Sequence, residues 1–139
     1  MRQYQTVLAV QTEPSGFYDI THAVNRSIWE SGIRQGLLTL FIQHTSASLT
    51  VQENADPDVL KDLARYFDRA VPKDNALYDH TYEGIDDMPA HIRTSLTDVS
   101  LNIPVQDGRM LLGTWQAVYV CEHRMDPHIR NVVLHLIGE

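Results

Sequence analysis

The chain has 139 residues, seven of them histidine, and sets 11 Lys plus Arg against 18 Asp plus Glu for a net charge of −7 with histidine neutral. That length suits one domain over residues 1–139 with a core of its own, and a composition 43% hydrophobic and 21% charged excludes a wholly disordered protein. The acidic balance argues against nucleic acid as a partner, because phosphate neutralisation needs clustered Lys and Arg. No apolar run approaches the ~20 residues of a bilayer span, and the N-terminus has no apolar signal segment, so the expectation is a cytoplasmic protein with no membrane partner. A single cysteine, Cys121, excludes an internal disulfide and any multi-cysteine zinc site.

Tyr4, Thr6, Leu8 and Val10 fall on one face at period two over Gln3–Thr12, which predicts a strand. Glu13-Pro14-Ser15-Gly16 is a turn cluster. Ile20, Ala23, Val24, Ser27 and Ile28 then follow helical spacing, with Asp19 as cap and Gly32 as stop. The apolar run Gly36–Ile42 reads as a central strand buried on both faces. After the small polar stretch His44–Ser48, β character resumes at Leu49-Thr50-Val51.

Asp56-Pro57 opens a second helix with the stripe Val59, Leu60, Leu63, Ala64 and Phe67, closed by Pro72. Residues 72 to 87 have no hydrophobic period, and a loop of that length inside a small domain is often functional. A short helix is expected over about Met88–Leu96. The last third reads as strands: Val99, Leu101, Ile103 and Val105 alternate, Gln106-Asp107-Gly108 signals a hairpin, and Met110–Val120 and Ile129–Ile137 supply two more. Strands that run together, with helices apart from them, indicate an α+β fold.

The chemistry concentrates in the histidines. His44 follows the buried strand, while His80 and His91 bracket the long loop. No His-Glu-x-x-His signature is present, so a metal site would have to be assembled by the fold, and three unrelated surface imidazoles are the plainer reading of the spacing. Asp79, Glu83, Asp86 and Asp87 lie close by in sequence. Such carboxylates orient metal-bound imidazoles or ligate a hard cation such as Mg²⁺ themselves. For Asp86-Asp87 a helix cap is the first reading. Trp115 is a core candidate, Gln116 beside it needs a partner if buried, and Glu53 and Asn54 read first as turn residues. Arg93, Arg109, Arg124 and Arg130 are the available phosphate clamps. Cys121, within an apolar strand, reads as a structural thiol.

Taken together, His44-Thr45-Ser46-Ala47-Ser48-Leu49-Thr50, Glu53-Asn54-Ala55-Asp56-Pro57, Tyr82-Glu83-Gly84 with Asp86-Asp87-Met88-Pro89-Ala90-His91-Ile92, Ile103-Pro104-Val105 and Gly113-Thr114-Trp115-Gln116 resemble the YjbQ family. Its members are often labelled secondary thiamine-phosphate synthase, and the match is collinear through Glu122-His123-Arg124 to Gly138. Met125-Asp126-Pro127-His128 stands where glycines commonly follow, and Ala117 replaces a frequent glycine.

The resemblance implies a sheet-on-sheet α+β core with two main helices and one short one, a homotrimer, and a polar pocket near subunit interfaces. It maps the family's site histidines onto His44, His80 and His91, with a divalent metal, Zn²⁺ favoured and Mg²⁺ possible. The implied reaction joins a hydroxymethylpyrimidine diphosphate to a thiazole phosphate and releases pyrophosphate. The catalytic candidates are then His44, Glu83, Asp87 and Gln116. Those for a phosphorylated substrate are Thr45, Ser46, Asn54, Arg124 and Trp115, whose ring could stack a pyrimidine. A metal binds imidazole only in its neutral form, so affinity should fall below about pH 6. Two other classes fit the same residues: a metal-dependent hydrolase with Glu83 as base, and a non-catalytic trimeric metal- or ligand-binding protein.

Overall fold

The structure, a computed structural model, describes residues 1–139. In chain order the elements are β1 (Arg2–Thr12), β2 (Gly16–Asp19), α1 (Thr21–Ser31), β3 (Gly36–Ile42), β4 (Ala47–Glu53), α2 (Pro57–Ala70), α3 (Asp87–Leu96), β5 (Ser100–Gln106), β6 (Arg109–Met110), β7 (Gln116–Glu122) and β8 (His128–Gly138). One 3₁₀ turn, Asn75–Leu77, interrupts the long loop before α3. The strands form two antiparallel sheets, one ordered β1-β8-β3-β5-β6 and the other β2-β7-β4. The α+β class expected from the sequence is the class observed.

The core lies between the sheets and α1. It unites Val24 and Ile28 of α1 with Leu38 and Leu40 of β3, Leu49 of β4, Val118 and Val120 of β7, and Leu134 and Leu136 of β8. Burying each such side chain contributes about 1.5–3 kcal/mol before the entropy of ordering it is counted. Alternation along β1 places Tyr4, Leu8 and Val10 against this core, as its period predicted.

Four expectations change. β3 is buried on one face only: Leu38, Leu40 and Ile42 face the core, while Leu37 and Phe41 stay 49% and 46% exposed. Continuous hydrophobicity suggests burial on two sides, but within one chain no element covers the outer face. β2 follows the turn cluster directly, a four-residue strand too short to show a period. Met110–Val120 is two strands separated by an irregular stretch that turns at Gly113. Ile20 occupies the cap position of α1, with Asp19 supplying its carboxylate to the Thr21 amide at 2.9 Å.

The Asp56 cap and Pro57 start of α2 are as read, the Asp56 carboxylate accepting from the Asp58 amide. The stripe of α2 is only partly covered, and none of its residues is fully buried. The hairpin at Asp107-Gly108 is present, both residues having positive φ. No helix is long and apolar enough to cross a membrane.

Candidate metal centre

Helix α3 presents Asp87 and His91 one turn apart, so the i, i+4 spacing stacks them on one face. The preceding loop returns His80 to the same point. Its Nε2 lies 2.7 Å from Asp87 Oδ2, and His91 Nε2 lies 3.1 Å from that same oxygen. The two imidazoles meet edge to face, with ring centroids 5.4 Å apart. Donor atoms of His80, Asp87 and His91 all lie within 4.8 Å of one another. Two imidazole nitrogens and a carboxylate oxygen aimed at one point match the ligand types of Zn²⁺, and both rings are partly open to solvent. Without an ion, the two Nε2–H groups donate to Asp87; a dication would take the place of those two protons.

Asp87 is positioned by the protein around it. Arg124 donates from Nη1 to Asp87 Oδ1 at 2.7 Å, from Nε to Asp86 Oδ2 at 3.0 Å, and from Nη2 to the Glu83 carbonyl at 2.8 Å. One guanidinium therefore ties the loop, the start of α3 and the end of β7 together. Burial opposes the charge on Asp86, but the Met125 amide and Arg124 outweigh it and hold the carboxyl below the usual range. Asp86 sits at the cap position of α3 without a side-chain bond to the helix. The cap reading holds for position, with Asp87 in the first turn, but the Asp86 carboxylate bonds Arg124 and the Met125 amide instead of the helix. Glu83 Oε1 is 3.9 Å from His80 Nε2 and exposed.

His44 is not part of this group. Its Nε2 accepts the Asn131 amide at 2.8 Å, which leaves the proton on Nδ1, where Arg130 Nη1 approaches to 3.4 Å. Burial, and then the Arg130 cation, hold this imidazole below its ordinary pKa. The expected trio of His44, His80 and His91 is therefore corrected within one chain: Asp87 takes the third place. The reason is topological. His44 ends β3 and is captured by β8, whereas the other two come from α3 and the loop that enters it.

The candidates from the β4–β7 end also stand apart. Gln116 and Glu122 occupy opposite ends of β7, six residues or roughly 20 Å along the strand. Gln116 spends its Oε1 on the Gly113 amide at 2.7 Å, Trp115 is 63% exposed, and the Asn54 amide bonds the Trp115 carbonyl. None of the three reaches the histidine pair of its own chain. Thr45 is exposed next to His44, and Ser46 Oγ accepts from Arg130 Nη2 at 3.1 Å. Arg124 has three of its N–H groups committed to protein oxygens, so it positions Asp87 and is not a free phosphate clamp.

Sequence reading missed the buried hub. Glu122, 2% exposed, accepts from Arg130 Nε at 2.8 Å, from Arg130 Nη2, from Thr12 Oγ1 and from the Arg124 amide at 3.1 Å. Burial would raise this carboxyl, yet Arg130, Thr12 and the Arg124 amide bring it below its ordinary value. The hub joins the His44–Arg130 cluster to the Arg124–Asp87 cluster. A glutamate closing the apolar run Val118–Cys121 was the available signal, since a charge there must be paired. Cys121 is buried, and burial pushes its thiol up to about 12, as suits an inert structural cysteine.

A family model described as "UPF0047 protein YjbQ-like" matches residues 6–139. UPF0047 protein sll1880 of Synechocystis sp. is 49% identical over 138 residues, covering 99% of this chain and 94% of that protein. UPF0047 protein YjbQ of Salmonella typhimurium is 46% identical over 139 residues, covering 98% and 99%. Among solved structures, conserved hypothetical protein TT1486 from Thermus thermophilus superposes with a TM-score of 0.85 at 36% identity, over 95% of this chain and 99% of that one. Hypothetical protein APE1520 from Aeropyrum pernix gives a TM-score of 0.83 at 27% identity with full coverage of both chains. Motifs, fold and relatives agree, and the chain belongs to the YjbQ (UPF0047) family.

Proposed function

We propose that this protein is a metal-dependent transferase with secondary thiamine-phosphate synthase activity, joining a hydroxymethylpyrimidine diphosphate to a thiazole phosphate with release of pyrophosphate. The observation that supports this reading is the convergence of His80, Asp87 and His91 donors within 4.8 Å. Zn²⁺ suits that set better than Mg²⁺, because two of the three donors are imidazoles. The ion would supply Lewis acidity, neutralising charge that builds on the departing pyrophosphate. His80 and His91 would hold it, and Arg124 keeps the Asp87 carboxylate turned toward it. The thiazole nitrogen attacks the pyrimidinylmethyl carbon through its lone pair as the C–O bond to pyrophosphate breaks. No proton therefore leaves the nucleophile, and Glu83, 3.9 Å from His80, would serve in orienting that imidazole.

A homotrimer belongs to the same proposal. It would cover the open outer face of the five-stranded sheet, and it is the means by which Trp115 and Gln116 of one subunit could reach the histidine pair of another. Glu83 beside His80 also favours a second reading, a hydrolase of a phosphorylated or acylated small molecule with Glu83 activating water.

Zinc titration and complementation test the proposal together. Wild type should bind one zinc per chain in competition with a chromophoric chelator and should rescue a strain lacking the dedicated synthase. His91→Ala should lose both, while His44→Ala keeps the zinc. Equal rescue by wild type and His91→Ala would remove this site from the reaction. Zinc binding without rescue would reject the synthase reading and leave the hydrolase to be tried on phosphoester and amide substrates.

A further inference from the structure

Two residues beyond His91, a helix has turned by roughly 200°, and Arg93 points away from the histidine pair toward α2 and β7. Its side chain is almost wholly buried yet poorly paired. Nη2 donates to the Val71 carbonyl at 3.0 Å and approaches Asp68 Oδ1 at 3.4 Å, while Nε is buried with no partner. A guanidinium has five N–H groups, and a buried cation that leaves most of them unused is costly unless something else satisfies them. Phe67 flanks the group at 5.9 Å and restricts its plane.

Arg93 lines a cavity of about 140 Å³ between α2, β2 and β7, shared with Lys73, Gly16, Phe67 and His123. That volume is below the range of pockets for drug-sized ligands, roughly 300–1,000 Å³, and suits a small ion. Two carboxylates also border it. Glu122 is saturated by Arg130, Thr12 and the Arg124 amide, and Asp68 is largely exposed at the rim, where its Oδ1 lies 3.4 Å from Arg93 Nη2. His123 is held neutral, its pKa lowered to about 4 by burial and by Arg93 beside it. With Glu122 neutralised by Arg130, the groups around the cavity sum to one positive charge, Arg93 and Lys73 against Asp68, in a chain whose net charge is −7.

We propose that this cavity is a binding site for a small tetrahedral oxyanion, inorganic phosphate or the phosphate head of a monoester, held by Arg93 and Lys73. It is separate from the metal centre and does not depend on the reaction proposed there. The anion takes the guanidinium face of Arg93 that lines the cavity, and Lys73 supplies the second positive charge of the lining.

Titration of the ¹⁵N-labelled full chain with inorganic phosphate, at ionic strength held constant with chloride, tests the site by NMR. The expected result is a saturable shift of the Arg93 Nε–H and Gly16 amide resonances in the millimolar range. Lys73→Met, at a half-exposed position that carries no core packing, should weaken the affinity about tenfold, the loss of one charge-assisted contact. Four outcomes overturn the proposal: no saturable shift, shifts confined to His80, His91 and Arg124, equal binding by Lys73→Met and wild type, or acetate binding as tightly as phosphate at the same resonances.

Discussion

His123 is enclosed by the Phe67 ring, whose centroid is 5.9 Å away, by Ser48 Oγ at 2.9 Å from Nε2, and by the charge on Arg93. Burial first, and Arg93 second, lower its pKa from 6.5 to about 4. Between those two values the unfolded chain takes up a proton that the folded chain refuses, so stability falls as pH is lowered. At about 1.36 kcal/mol per pH unit, the loss approaches about 3 kcal/mol near pH 4. Urea midpoints of wild type and His123→Gln should therefore draw together as pH falls from 7 toward 4.5; parallel profiles would refute this. His44 acts in the same direction, because burial and Arg130 disfavour its charged form as well. The identities of these residues were plain in the sequence, but their environments were not. Of the three histidines singled out, two converge and one is held by the Asn131 amide, a difference that spacing along the chain cannot express.

At the scale of the element, β3 and β8 come closest where Gly36 faces Gly138. A Cβ added to Gly36 would lie 2.1 Å from the Ile137 carbonyl oxygen, a backbone atom that cannot swing aside. Gly36→Ala should cost about 2 kcal/mol, read as a lower urea midpoint with unchanged slope. An unaltered midpoint would mean that the strand ends separate freely. Legibility followed the local signals. α2 was readable because Asp56 and Pro57 mark its start and its stripe has helical spacing. β1 and β5 alternated cleanly. β2 was invisible because four residues carry no period, and the buried-both-faces reading of β3 failed because apolar character does not say what will cover it.

Across the whole molecule, Val7, Leu37, Phe41, Ile129 and Ile137 stand exposed on the outer face of the five-stranded sheet, with Val7 and Phe41 paired in register on either side of Val133. The row Gln5–His135–Thr39–Asn102 divides these apolar residues, and the proposed homotrimer would cover both parts of the face by closed symmetry. Sedimentation at micromolar concentration should show a species of about 47 kDa, three times the 15.8 kDa chain. Leu37→Asp combined with Phe41→Asp should reduce it to the single chain, since two charges buried at each contact have no partner there. A wild-type species of 15.8 kDa would reject the trimer.

The order of residues alone determined the α+β class, both longer helices and the loop from which His80 comes, because periodicity, caps and turn chemistry act between neighbours in sequence. It also placed the chain in its family, through several motifs in one fixed order. Tertiary structure alone decided that Asp87 rather than His44 stands with His80 and His91, that Arg124 bonds Asp87, and that Arg93 is buried with an N–H unpaired. Those facts depend on where α3, β7 and β8 come to lie in space, and the forces that set such distances act between residues dozens of positions apart.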